Sequence, residues 1–194
     1  MTDNELITAC IKNDKAAQKL LFERFYGKLG YIGLRYCKNS AQAEDVSAKA
    51  FVYLFKELPA FKNQTNKSAE EFVREKFIEF TVKHIKGIRN EYYVASTVKA
   101  NENRDYSYDL FLDSGFIDLK SVNQAVLLKS IQSLVPSQRL VFNLHVIDNY
   151  TLESVSELLE TSLQTIKSNL EKARFNLQKA IENNLKSQHN EQPV

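Results

Sequence analysis

An all-α fold of two small helical domains is what this sequence predicts, on three observations. Apolar residues recur at steps of three and four along most of the chain. Glycine and proline are scarce, at five and three in 194 residues, which favours helix and short connections. Between about Val94 and Asp118 the period fails, and serine, asparagine, tyrosine and five acids (Glu102, Asp105, Asp109, Asp113, Asp118) replace it. That stretch reads as a linker. The expected organisation is a helical domain over 1–93, an acidic linker over 94–120, a second domain with a helix-turn-helix over 121–186, and a flexible tail over 187–194.

In the first domain, Thr2 and Glu5 form a capping box for a short helix whose inward residues are Leu6 and Cys10, with Ile11 a further candidate. Asp14 caps a second helix with Ala17, Leu21, Phe25, Leu29, Ile32 and Tyr36 on one stripe. Its glycines, Gly27, Gly30 and Gly33, each cost about 1 kcal/mol relative to alanine. They allow close packing or mark a bend. Ser40 is the expected cap of a third helix that runs to about Leu58, where Pro59 ends it. That helix has two apolar faces, Val46, Ala50 and Leu54 on one and Phe51, Phe55 and Leu58 on the other, which places it centrally. The loop 60–67 follows, then a second capping box, Ser68 and Glu71. The fourth helix reaches about Tyr92, with Val73, Phe77, Phe80, Ile85 and Ile88 as its core. Its last turns gather Lys83, His84, Lys86 and Arg89 with no acid among them.

Within the linker, Phe111, Leu112, Phe116 and Ile117 suit a short ordered segment. From Ser121 the period returns. One helix carries Val122, Ala125, Val126 and Ile131, and the next begins with Pro136 at its first position and carries Leu140, Val141, Leu144 and His145 or Val146. The stretch Tyr150 to Lys186 then reads as a short helix, a tight turn and a longer helix. Thr151 caps the short one, with Leu152, Val155, Leu158 and Leu159 as its apolar set. Glu160 and Thr161 make the break, and Ser162 caps the long helix. Leu163, Ile166, Leu170, Ala173, Leu177 and Ile181 form its stripe, opposite Gln164, Thr165, Lys167, Ser168, Lys172 and Arg174. A short helix supporting a longer one with a polar, basic outer face is a helix-turn-helix pattern.

Composition narrows the function classes. The net charge is +2, so any basic surface is local. Cys10 and Cys37 sit among apolar neighbours, as buried reduced thiols do. His84, His145 and His189 show no ligand spacing, so no metal site and no cofactor is expected. No nucleophile–base pair or paired carboxylates stand out, and an enzyme is not expected. The polar, acidic start MTDNEL is not a signal peptide, and no apolar run approaches the ~20 residues of a membrane span. No membrane insertion is expected, and the cytoplasm is the expected location.

Three segments carry a resemblance to a known family. AEDVSAKAFVYLFKELPAF (43–61), SLVPSQRLVFNLHVIDNYTLESVSELLETS (133–162) and QTIKSNLEKAR (164–174) are similar to the corresponding stretches of the extracytoplasmic-function sigma factors of bacterial RNA polymerase. The resemblance spans nearly the whole chain. It implies a dissociable specificity subunit that binds core RNA polymerase and promoter DNA, and commonly an anti-sigma factor. The first domain would bind polymerase and open the −10 element, and the second would bind the −35 element.

By that resemblance, Ser162, Gln164, Thr165, Lys167, Ser168, Lys172 and Arg174 belong to the −35 recognition helix. Gln164 suits an adenine edge and Thr165 a thymine methyl, while Lys167, Ser168, Lys172 and Arg174 suit phosphates. Phe61, Asn63, Gln64, Lys83, His84, Lys86 and Arg89 are the −10 candidates, with the loop at 61–64 placed to capture a flipped base. Glu44, Asp45 and Phe51 are the polymerase-contact candidates. Acids at a helix start also complement the helix dipole, as does a basic helix end. The chain departs from the family pattern at Ala48 and Lys49, at Lys76 in place of a tryptophan, and at Asn169 in place of an arginine. The alternative reading is a sigma-like DNA-binding regulator or adaptor that does not initiate transcription alone.

Overall fold

The computed structural model describes residues 1–63, 67–88, 111–112, 115–116 and 122–190. The chain forms two compact units, Met1–Ile85 and Lys86–Val194. The described residues are almost wholly helical, as expected for an all-α fold.

In the first unit, α1 (Asp3–Ile11) starts on the expected capping box: Thr2 Oγ1 accepts from Glu5 N at 3.3 Å and Thr2 N donates to Glu5 Oε2 at 2.8 Å. It buries Leu6, Ile7 and Cys10. Ile7, not Ile11, completes the inward set, because the chain turns away at Lys12 and Asn13, whose φ is 62°. Asp14 then caps α2 (Lys15–Tyr36) through Oδ1, which accepts from Ala16 N and Ala17 N at 2.9 and 3.1 Å. All six stripe residues of α2 are buried.

The cap of α3 (Ser40–Glu57) is Asn39, not Ser40. Asn39 has extended backbone and its Oδ1 accepts from Gln42 N at 2.9 Å, which makes Ser40 the first helical residue. Two adjacent polar residues compete for the cap, and the one with extended backbone holds it. The central position expected of α3 is matched by burial of Val46, Ala50, Phe51 and Leu54, with Phe55 half-buried. Gly33 of α2 permits close approach: a Cβ there would meet Ser47 Oγ of α3 at 2.6 Å. A Cβ at Gly27 or Gly30 would meet nothing within 4 Å.

A 3₁₀ turn (Leu58–Asn63) carries Pro59 past the end of α3. The Ser68–Glu71 capping box then starts α4 (Ala69–Gly87), with Glu71 N donating to Ser68 Oγ at 3.2 Å and Ser68 N to Glu71 Oε2 at 2.8 Å. Phe72, Val73, Phe77, Ile78, Val82 and Ile85 are buried. Phe80 and Ile88, expected in the core, are half-buried, and the Phe80 ring lies 5.3 Å from that of Tyr53. The expected extension of this helix to Tyr92 lies outside the described residues.

In the second unit, β1 (Phe111–Leu112) pairs antiparallel with β2 (Gly115–Phe116), an ordered segment where the linker's apolar residues suggested one; Ile117 lies outside the described residues. Asn123 caps α5 (Gln124–Ser133), its Oδ1 accepting from Ala125 N at 2.8 Å. Val122, Val126 and Ile131 are buried, but Ala125 is exposed on the first turn. Pro136 is the first residue of α6 (Pro136–Phe142), which buries Leu140 and Val141 and runs into a π turn (Asn143–Ile147). His145 is half-buried and Val146 exposed, so neither is core. Helices α7 (Leu152–Leu159) and α8 (Leu163–Asn190) follow, α8 continuing past the expected end at Lys186.

Candidate nucleic-acid interface

The helix-turn-helix is built from local signals. Thr151 Oγ1 accepts from Ser154 N at 3.1 Å and starts α7. Glu160 ends it in the left-handed region, at φ 51° and ψ 48°, a conformation that satisfies the last carbonyls of a helix. Thr161 N donates to Ser156 O at 3.1 Å and Ser156 Oγ to Thr161 O at 2.5 Å, so the break is tied from both sides. Ser162 Oγ then accepts from Thr165 N at 3.1 Å and lies 2.8 Å from Thr165 Oγ1.

Burial fixes which face of α8 looks outward. Ile166, Leu170, Ala173, Leu177 and Ile181 are buried, and Leu163 is half-buried. Gln164, Thr165 and Lys167 are exposed, while Ser168, Lys172 and Arg174 are half-buried at its margins. Two polar pairs fix the rotation of α8 against its neighbours: Asn176 Nδ2 donates to Gln138 Oε1 at 2.8 Å, and Asn184 Nδ2 to Ser130 Oγ at 3.1 Å.

Sequence reasoning missed the supports of this helix. Arg139 is 1% exposed, and its Nη1 donates to Gln132 O at 2.8 Å and Leu134 O at 2.7 Å, two carbonyls at the end of α5. Gln138 and Asn143 are buried too, and Asn143 Nδ2 donates to Arg139 O at 2.8 Å. Polar residues embedded in the apolar run VPSQRLVFNL were the available signal.

The first unit's candidates are less free than their sequence suggests. The cluster at the end of α4 is not without acid: Glu79, one turn before Lys83, takes Lys83 Nζ at 2.8 Å and Lys76 Nζ at 2.9 Å. Tyr53 OH donates to the same carboxylate at 3.2 Å. Burial alone would raise the Glu79 pKa, but hydrogen bonds and charge from Lys76 and Lys83 outweigh it and hold the carboxyl at about 2. The hydrogen bond to Glu79 in turn raises the pKa of Lys76 and of Lys83. The His84 ring stacks on Phe80 at 5.7 Å, and Lys86 is half-buried. Phe61 is also half-buried, its ring 5.3 Å from that of Phe72, so it is packed against its own unit. Asn63 ends the 3₁₀ turn, and Gln64 and Arg89 lie outside the described residues.

On the other side of α3, Glu44 and Phe51 line a groove of about 470 Å³ between α2 and α3, together with Phe22, Tyr26 and Tyr31. Gly27 and Gly30 form part of its wall. Phe51 is 3% exposed, with its ring 4.7 Å from Phe22 and 6.0 Å from Phe77. Asp45 does not stand alone: Lys49, one turn on, pairs with it at 2.7 Å. Cys10 and Cys37 are buried and not disulfide-bonded, and burial raises the Cys10 thiol pKa. Among the described residues, no three His, Cys, Asp or Glu side chains are grouped to hold a metal, and no helix is long and apolar enough to cross a membrane.

Residues 124–177, which contain α5, α6, α7 and the N-terminal half of α8, match the family model of sigma-70, region 4. The match covers the helix-turn-helix and the two helices before it. Among solved structures the chain is similar to the sigma factor RpoE from Bartonella quintana in complex with the anti-sigma factor NepR, at 15% identity and a TM-score of 0.49, over 84% of this chain and 96% of that one. Among curated proteins no sequence matches.

Proposed function

We propose that the chain is a sigma factor of the extracytoplasmic-function type, that it binds core RNA polymerase and promoter DNA in transcription initiation, and that it reads its −35 element with the N-terminal turns of α8. Gln164 meets an adenine edge and Thr165 a thymine methyl, while Lys167, Ser168, Lys172 and Arg174 hold phosphates. Ser162, tied to Thr165, sets the start of that helix and offers its hydroxyl to the backbone. The observation that carries this reading is the outward face of α8, exposed at Gln164, Thr165 and Lys167 and backed by a continuous buried stripe. A region 1–93 would serve the −10 element through Phe61, Asn63, Gln64, Lys83, His84, Lys86 and Arg89, and core polymerase through Glu44, Asp45 and Phe51. The protein acts in the cytoplasm, carries no catalytic centre of its own, and is restrained by an anti-sigma factor.

Run-off transcription with purified core polymerase on a genomically mapped promoter tests the reading. Promoter-dependent transcripts are expected, and failure to retain core polymerase in a pull-down would sink it. A second reading, an adaptor that does not initiate alone, is favoured by the Lys49–Asp45 and Lys83–Glu79 pairs, which neutralise charge on both candidate surfaces of the first unit. Core binding with no transcript from any mapped site would favour that adaptor.

A further inference from the structure

The outward face of α8 holds an acid that the phosphate-and-base reading leaves unused. Glu171 lies seven residues after Gln164 and three after Ser168, so all three share one face at 100° per residue. It is half-buried, with Phe175, 47% exposed, one turn further on. Lys167 and Lys172 flank it, yet among the described residues neither they nor any other base forms an ion pair with it. Among the described residues it is therefore a half-buried carboxylate on the outward face with its acceptor oxygens uncommitted.

On a helix lying in a groove walled by phosphates, such a group is repelled unless it meets a hydrogen-bond donor. In the major groove the donors are the amino groups of cytosine and adenine, and a carboxylate pairs with cytosine N4. Resting on the placement of α8 in the groove, we propose that Glu171 is a specificity residue that selects a cytosine in the −35 element. Seven residues of helix rise about 10 Å, the rise of about three base pairs, which sets the spacing of that cytosine from the pair read by Gln164. Discrimination comes as much from repulsion at the wrong base as from attraction to the right one.

The test is selection of duplexes from a randomised −35 library by the full chain, with Glu171→Ala, Glu171→Gln and Gln164→Ala in parallel at one salt concentration. Wild type should favour cytosine at one position roughly tenfold or more. Glu171→Ala should lose that preference alone, and Glu171→Gln should move it toward adenine. An unchanged profile in both Glu171 variants, while Gln164→Ala shifts preference at its own position, overturns the role of Glu171 and leaves the groove reading standing. A wild-type profile with no preference at any position overturns both.

Discussion

At the scale of single residues, the second unit turns on Arg139. A guanidinium buried to 1% exposure stays charged and must have its donors met. Here its Nη1 alone donates to two carbonyls at the end of α5, held there by the planar guanidinium, whereas a lysine would bring a compact ammonium on a differently shaped stem. Arg139→Ala should cost about 2–4 kcal/mol in denaturant unfolding, and Arg139→Lys should recover less than half of that. Glu79 offers a pH test in the first unit. Its carboxyl is held at about 2 against an ordinary 4.5, so its contribution is complete above pH 4.5 and is lost as pH falls toward 2. The stability gap between wild type and Glu79→Gln should therefore be open at pH 6 and closed near pH 2. An equal gap at both pH values would rule out the charged pairs as its source. Neither role was legible in the sequence. Arg139 stood inside a motif without its partners, and Tyr53 and Glu79 are 26 positions apart, brought together only by helix packing.

Elements were far more legible, because their ends are written locally. The boxes at Thr2 and Ser68 and the caps at Asp14, Thr151 and Ser162 each depend on residues two or three positions apart, a range that sequence shows directly. Asn39 was missed because it neighbours an equally good cap, and backbone geometry decides between them. Asn39→Ala should cost about 1 kcal/mol and Ser40→Ala under about 0.5 kcal/mol in thermal unfolding. The three glycines of α2 could not be told apart from sequence, since their difference lies in what α3 brings against them. Gly30→Ala, with open space for its methyl, should gain about 0.5–1 kcal/mol. Gly33→Val should lose about 2 kcal/mol or more, because its branches would meet Ser47 and Phe77.

At the scale of the whole molecule, charge sets the affinity. With a net charge of +2, the cations of the −35 candidates reduce to Lys167, Lys172 and Arg174. Three phosphate contacts give a log–log salt slope of about −3, and Lys167→Ala should bring it to about −2. A slope near −6 in wild type would mean that other cations bind DNA. The groove between α2 and α3 has a dynamic consequence. Gly27 and Gly30 border it, so the middle of α2 carries backbone amides with no side chains above them to slow their opening. Amide exchange there should run ahead of the flanking turns. The bare stretch of α2 is thus a built-in gauge: the exchange times of a few amides report how readily the middle of that helix opens.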